Sequence, residues 1–239
     1  VGAVCAQLRF ADGRLQEAGG IVWSDGSAWN WGRGEHPQDP KFNYPREVDY
    51  GSAAALMVSR KLWEQLGGFD EDFAPAYYED TDLCFAIRSL GHRVMYQPLA
   101  VVTHFEGVSH GTDTGVGIKA YQVWNKRRFA DKWQQVLSQH RSNGVEPMLE
   151  RDRPARARIL WIEACMLTPD QDSGSLRTIR LLRILVRMGC KVTYVADNLD
   201  GEEQYRSQLS REGVEVIHAP FFSSVRDYLR QHGAEFDIV

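Results

Sequence analysis

Three carboxylates stand within four residues in the stretch AYYEDTDLCFAIRSLGHRV, Ala76 to Val94: Glu79, Asp80 and Asp82, directly behind Tyr77 and Tyr78. Two kinds of work suit them. Acidic side chains in a first helical turn accept orphan N–H groups and complement the positive end of the helix dipole, which contributes roughly 0.5–2 kcal/mol. A carboxylate held rigidly at a helix start beside a cleft can instead serve as a general base at a sugar or phosphate site, taking a proton from an acceptor hydroxyl. One carboxylate is enough for a cap, so three leave room for both. Asp70, Glu71 and Asp72 precede FAPAYY, so the whole approach to the helix is acidic. On spacing alone the cap and the chemistry weigh about equally.

Other residues carry weaker signals. His104 ends an apolar stretch in VVTHFEG, where an imidazole could ligate a divalent metal. A lone histidine is more often structural, and no second ligand is in view; His110 in VSHGTDTG is weaker still. Two D-x-D strings occur, Asp80-Thr81-Asp82 and Asp170-Gln171-Asp172. Neither follows a buried central strand of the first region, so neither is taken as its metal clamp. Gly174 and Ser175, in EACMLTPDQDSGSLR, open a helix whose free N–H groups suit an anion or hydroxyl, with a plain N-cap serine as the equal alternative. That loop lacks G-x-G-x-x-G, which argues against a nicotinamide or flavin enzyme.

These residues need elements to hold them. Leu83, Ala86, Ile87 and Leu90 fall at i, i+3, i+4 and i+7, one apolar stripe of a helix that Gly91 would close. VGAVCAQLRF reads as an apolar strand, AAALMVS as a buried strand-like segment and RKLWEQLGG as a short helix. RVMYQPLAVVTHFEG reads as a strand broken at Pro98, and KAYQVWNKRRFADKWQQVLSQH as a helix with an aromatic stripe of Tyr121, Trp124, Phe129 and Trp133. The long segment from Gly19 to Gly51 exceeds normal loop length, and Trp23, Trp29 and Trp31 argue against disorder there. Residues 143–155 are polar and charged and read as a linker between residues 1–142 and 156–239. The last region alternates β-α-β-α-β-α-β, the pattern of a parallel, doubly wound sheet. The fold class is therefore α/β, a mixed-sheet domain followed by a Rossmann-like parallel one.

Bulk properties narrow the field. With 239 residues, 43% hydrophobic and 25% charged, the chain has the composition of a globular protein of one or two domains. A formal charge of −4 leaves no basic excess for a nucleic-acid surface. No apolar run approaches the ~18–20 residues that span a bilayer. Cys5, Cys84, Cys165 and Cys190 are scattered without C-x-x-C spacing, as expected of buried thiols in the cytoplasm. The chain opens and closes inside what read as core strands, so we expect an internal piece of a longer protein.

The segments LRFADGRLQEAGGIVWSDGSAWNWGRG and VDYGSAAALMVSRKLWEQLGGFDEDFAPAYYEDTDLCFAIRSLGHRVMYQPLAVVTHFEGVSHG resemble the C-terminal half of family 2 glycosyltransferases, inverting enzymes of GT-A fold. The likeness covers residues 1 to about 137 and rests on the L-GGFDE turn, the Y-ED-DL-R---G helix and the V-H-EG strand end, in that order. It implies that Asp80, second of the ED pair, is the catalytic base with Glu79 beside it. It also implies that His104 is a metal or diphosphate contact. The family's N-terminal half, with its nucleotide-binding strand and D-x-D clamp, has no counterpart here. Residues 156–239 resemble the N-terminal Rossmann half of a family 4-like, GT-B fold glycosyltransferase. Together they imply a tandem enzyme of bacterial surface-polysaccharide synthesis.

The resemblance also implies partners: a nucleotide-diphospho-sugar donor, a glycan or lipid-linked acceptor, and a divalent metal, Mg2+ or Mn2+, in the intact first domain. Peripheral association with the inner face of a membrane is compatible with it, and the piece alone is expected to be inactive. Asp82 and Glu79 are expected mainly to hold the helix start, with Asp82 also counted among substrate contacts. Trp29, Trp31 and Arg33, in the loop from Trp23 to Gly34, are the candidate acceptor contacts, since indole faces suit sugar C–H surfaces. Two rivals stand beside this reading: a non-catalytic carbohydrate-binding module, and a receiver-like or generic nucleotide-binding second domain. The third strand of that region ends HAP, without a phosphoacceptor aspartate, which counts against a receiver.

Overall fold

The computed structural model describes residues 1–105 and 120–239. His110 and the end of the VVTHFEG motif lie outside the described residues. The chain is an α/β protein and divides into two compact units, Val1–Pro37 with Arg46–Arg151 and Gln38–Pro45 with Asp152–Val239.

In chain order the first unit holds β1 (Ala3–Arg9), β2 (Leu15–Glu17), β3 (Gly20–Val22), β4 (Ala28–Asn30), β5 (Arg46–Glu47), β6 (Leu56–Val58), α1 (Arg60–Leu66), α2 (Glu79–Ser89), β7 (Val94–Thr103), α3 (Tyr121–Lys132), α4 (Gln134–Leu137) and α5 (Pro147–Arg151). Strand β1 is central: Ala3, Cys5, Ala6, Gln7 and Leu8 are all buried, as a near-continuous apolar run predicts for a strand covered on both faces. β7 runs parallel along its whole length, while β6 and β2 pair antiparallel with its first and last residues. Pro98 bends β7 without ending it. Ala6 faces Gln97 but Gln7 faces Val101, so residues 98–100 drop out of register where proline has no N–H to give. A second irregularity leaves Gln16 without a partner, since Leu8 faces Glu17 and Arg9 faces Leu15.

Several local expectations change. The long segment after Gly19 contains a hairpin, β3 against β4, with Ile21 opposite Trp29. AAALMVS splits into a 3-10 turn, Ala53–Ala55, and the three-residue β6. The long aromatic helix breaks at Trp133 (φ −106°), and of its stripe Phe129 is buried whereas Tyr121 and Trp124 are exposed. The stretch read as a linker carries α5, where Glu150 and Arg151 are buried; Glu150 accepts from the Arg141 N–H, and the Arg151 guanidinium stacks over Trp31.

The second unit runs β8 (Arg158–Glu163), α6 (Ser173–Arg187), β9 (Lys191–Ala196), α7 (Glu203–Arg211), β10 (Val214–Ile217) and α8 (Val225–His232). The three strands are parallel in the order β10-β9-β8. The expected last strand is a single parallel bridge, Ile238 to Ile159, on β8. Alternation along β9 shows both faces covered: Val192, Tyr194 and Ala196 pack with α6 and α7, and Val195 packs with α8 residues Val225 and Tyr228. Residues 38–45, read from sequence with the first region, belong here. Phe42 and Tyr44 are buried, and the Tyr44 ring lies under Lys191, which is itself paired with Glu215. No helix among the described residues is long and apolar enough to cross a membrane.

Close approach demands glycine at Gly51, where an added Cβ would stand 2.1 Å from the Cβ and 2.6 Å from the Sγ of Cys5. Gly51→Ala should therefore cost about 1–3 kcal/mol through overpacking, read as a lower urea midpoint. An unchanged midpoint would show that the segment yields freely.

Candidate active site

The acidic helix α2 starts from an unusual turn. Tyr77 and Tyr78 both take left-handed conformations, φ +74° and +71°, which costs non-glycine residues roughly 1–2 kcal/mol each. Three contacts hold them there. Asn125 of α3 is fully buried, and its Nδ2 lies 2.8, 3.0 and 2.9 Å from the carbonyl oxygens of Phe73, Ala76 and Tyr77. The Tyr78 hydroxyl donates to the Gly26 carbonyl at 3.0 Å, inside the tryptophan hairpin. Its ring packs on Phe129, 5.3 Å between centroids. The helix thus has Tyr78 as N-cap, with no side-chain cap bond.

The three carboxylates meet three fates. Asp82 does not cap the helix. It is buried, its Oδ1 accepting from Trp133 Nε1 at 2.7 Å and its Oδ2 from Lys132 Nζ at 2.8 Å, so it ties α2 to the end of α3. Glu79 is half-buried, and its Oε2 is enclosed with no hydrogen-bond partner among the described residues. Burial, then the charge of Asp80, raises its pKa. Asp80 is half-buried and held by backbone. Its Oδ2 accepts from the Ala53 N–H at 2.9 Å, and its Oδ1 from the N–H and hydroxyl of Thr81 at 2.7 and 3.2 Å. Burial raises its pKa against the pull of those bonds.

Sequence reading missed the carboxylate held by the neighbouring N–H of the same turn. Glu17, in β2, is fully buried, and its Oε1 accepts from the Ser52 N–H at 2.9 Å. Successive N–H groups at the start of the Ala53–Ala55 turn thus hold Glu17 and Asp80. Burial above all lifts Glu17 to about 8; the Ser52 bond opposes the rise and the Asp80 charge adds to it. Tyr50 lies beside them, its hydroxyl donating to Asn30 Oδ1 at 2.8 Å. One of the missed residues had a signal: Asn125 sits four residues before buried Phe129 on the core-facing stripe.

His104 follows β7, its N–H donating to the Arg9 carbonyl at 2.9 Å. The Gln16 side-chain amide lies 3.1 Å from its Nδ1 and orients the ring. The β1–β2 irregularity is what aims Gln16 there. In this segment Trp23 is buried, edge-on to Trp29 at 4.8 Å, and Trp31 is buried, so Trp29, 40% exposed, is the most accessible of its three indoles. Arg33 is exposed and lies over the Phe10 ring at 4.9 Å. Tyr50 and Tyr78 thus join the tryptophan hairpin to the carboxylate-bearing helix start.

One further trio has metal-ligating side chains close together: Asp49, His140 and Glu150, with ligating atoms within 4.8 Å of one another. Each is engaged. Asp49 accepts from the Val22 N–H and Arg88, His140 Nδ1 donates to the Val22 carbonyl, and Glu150 accepts from Arg141. The cluster clamps β3.

In the second unit the N-cap of α6 is Asp172. Its Oδ1 accepts from the Ser175 N–H at 2.7 Å, and the Ser175 hydroxyl donates to its Oδ2. The first turn carrying Gly174 and Ser175 therefore already holds a carboxylate, which an incoming anion would have to displace. Asp170 accepts from the Tyr205 hydroxyl at 2.8 Å.

The comparisons with known proteins point one way. No family model matches the chain. It is 30% identical over 135 residues to the O-antigen biosynthesis protein RfbC of Myxococcus xanthus, covering 52% of this chain and 10% of that protein. It is 33% identical over 87 residues to the N-acetylglucosaminyl-diphospho-decaprenol L-rhamnosyltransferase of Mycobacterium tuberculosis, covering 36% and 28%. With the pre-mycofactocin glycosyltransferase of that organism it shares 37% over 57 residues, 24% of the chain and 12% of the relative. The chain is thus similar to glycosyltransferases, and it spans between 10% and 28% of the length of these relatives.

Two variants test the geometry. Asn125→Asp keeps the shape but turns the donor among three carbonyls into an acceptor, and it should cost at least ~2 kcal/mol in chemical denaturation. Equal stability would show that the left-handed turn holds itself. For Glu17, the folded pKa of about 8 stands above its usual 4.5. The advantage of the protonated folded form is full below 4.5 and is lost as pH rises to about 8. Wild-type stability relative to Glu17→Gln should therefore fall with pH across that window, by at most about 1.4 kcal/mol per pH unit. A flat difference would place the Glu17 pKa at its ordinary value.

Proposed function

We propose that this protein takes part in glycosyl transfer from a nucleotide-diphospho-sugar to a hydroxyl of a glycan or lipid-linked acceptor in surface-polysaccharide synthesis, with Asp80 as general base. The carrying observation is the contrast within one helix turn. Asp82 is ion-paired with Lys132 and hydrogen-bonded by the Trp133 indole, whereas Asp80 is held, among the described residues, by backbone N–H and hydroxyl donors and is made more basic by burial. Each oxygen of a carboxylate has two lone pairs, so Asp80 can hold its backbone bonds and still accept a proton. The names of the relatives support the class.

In this reading Asp80 takes the proton of the acceptor hydroxyl while that oxygen forms its bond to the anomeric carbon. The bond from that carbon to the diphosphate oxygen breaks, and the nucleoside diphosphate leaves with the electron pair from the opposite face. Configuration inverts. A divalent cation, Mg2+ or Mn2+, when bound, stabilises charge on the leaving diphosphate. This chain's donor toward it would be His104, whose Nδ1 is set by Gln16, leaving the other ring nitrogen for the ligand. One imidazole is too few ligands for a metal site by itself. Trp29 offers the acceptor an indole face, with Arg33 in the same loop. The second unit we assign to a Rossmann-like half of a second, GT-B type transferase, on the strength of its parallel order with α6 and α7 on one sheet face and α8 on the other.

A carbohydrate-binding module without catalysis is the second reading, favoured by the exposure of Trp29. It predicts sugar binding that is indifferent to metal and nucleotide. In the intact protein Asp80→Asn should lower kcat by about 10²–10⁴-fold, the usual worth of a general base, with donor binding and the circular dichroism spectrum retained. Near-normal turnover of labelled sugar would sink the assignment.

A further inference from the structure

Glu17 is a fully buried carboxyl group that the mechanism above leaves unused. Its Oε1 takes the Ser52 N–H, and its Oε2 is buried with no hydrogen-bond partner among the described residues. The next N–H in the chain, that of Ala53, holds Asp80. The third, that of Ala54, is taken by the Ser52 hydroxyl at 3.3 Å. The turn is therefore fastened at its first residue by Glu17, and it hands its second N–H to Asp80.

We propose that Glu17 is a positioning residue for the Asp80 base: it fixes the Gly51–Ser52 peptide, next to the Ser52–Ala53 peptide whose N–H holds Asp80, and, by staying protonated, leaves the pair a single negative charge, carried by Asp80. This inference rests on the reading of Asp80 as the base. The division of charge follows from the donors. Asp80 accepts three hydrogen bonds, from Ala53 N, Thr81 N and Thr81 Oγ1, and Glu17 accepts one. A negative charge settles where more donors meet it, and two carboxylates in one poorly solvated place ionise in sequence. The raised pKa of Glu17, about 8, agrees with its being second. A charged pair would instead set two anions side by side where little solvent screens them.

The surrounding groups leave that order intact. From β1, the Cys5 thiol is pushed up to about 12, by burial first and then by Glu17. From α2, the Cys84 thiol and the Tyr78 phenol are raised by burial, as is the Tyr50 phenol that precedes the turn. All four are neutral across the physiological range. The Arg46 guanidinium of β5 donates to the Ala18 carbonyl at 2.6 Å. Glu79 flanks Asp80 and also has a raised pKa, so the test must tell it from Glu17.

Carboxyl carbon NMR on the chain labelled at glutamate provides that distinction. One glutamate should titrate near 8, vanish in Glu17→Gln, and move to lower pH in Asp80→Asn, where the neighbouring charge is gone. In the intact protein kcat/KM should carry an inflection near pH 8 that Glu17→Gln removes. Glu17→Leu, which cannot accept from Ser52, should lower kcat about tenfold or more at little change in KM, and Glu17→Gln should recover most of that loss. A merely structural glutamate would move stability without moving the pH profile. Full turnover in Asp80→Asn overturns both this inference and the base assignment. Titration of Glu17 in the ordinary glutamate range, or an inflection that persists in Glu17→Gln, overturns this inference alone.

Discussion

The first unit depends on one side-chain amide. Asn125 directs Nδ2 at three carbonyl oxygens that the chain presents on its way into α2, and the left-handed pair Tyr77–Tyr78 can persist because those carbonyls have nowhere better to point. Burial sharpens the constraint. At the buried Phe73 carbonyl the alternative to Asn125 is an unsatisfied oxygen, at about 1–3 kcal/mol. The turn sets the direction of α2, and the direction of α2 puts Asp80 against the Ala53 N–H. Tyr78, made N-cap by the same turn, reaches Gly26 and so brings the tryptophan hairpin to the helix start. A residue of α3 thereby shapes the candidate site from a distance in sequence.

How much of this was readable beforehand follows from the range of each interaction. The existence and ends of α2 were legible because apolar spacing and the closing Gly91 are local signals. The β-α alternation of the second unit was legible for the same reason. What the sequence hid is non-local. Asn125 meets its carbonyls 48 to 52 residues away and Glu17 meets Ser52 across 35, and neither pairing leaves a trace in spacing. The cap assignment of Asp82 failed on similar grounds: an acidic residue in the first helical turn carries the signature of a cap whether its oxygens face the helix's own N–H groups or, as here, Lys132 and Trp133. The break read at Pro98 is local and legible, because proline interrupts a ladder; what the sequence did not show is that dropping three residues from register lets the pairing with β1 resume. Residues 38–45 were assigned by continuity, whereas Phe42 and Tyr44 bury themselves in the second unit.

Identity of residue type does not give identity of role, and the acidic helix start shows why. Glu79, Asp80 and Asp82 share a turn and nearly the same intrinsic acidity, and environment separates them. Lys132 and the Trp133 indole N–H occupy the two oxygens of Asp82. Partial burial raises Glu79 without giving its enclosed Oε2 a donor among the described residues. Asp80 is both raised and oriented: burial increases its basicity, and backbone donors fix the direction of its remaining lone pairs. A base needs both properties, because basicity without orientation wastes the proton transfer and orientation without basicity supplies no driving force. Glu17 completes that balance from below the turn. Charged, it would undo the gain in specificity of charge placement; neutral, it lets the fold bury a second carboxyl group against the first, which two like charges in so little solvent would forbid.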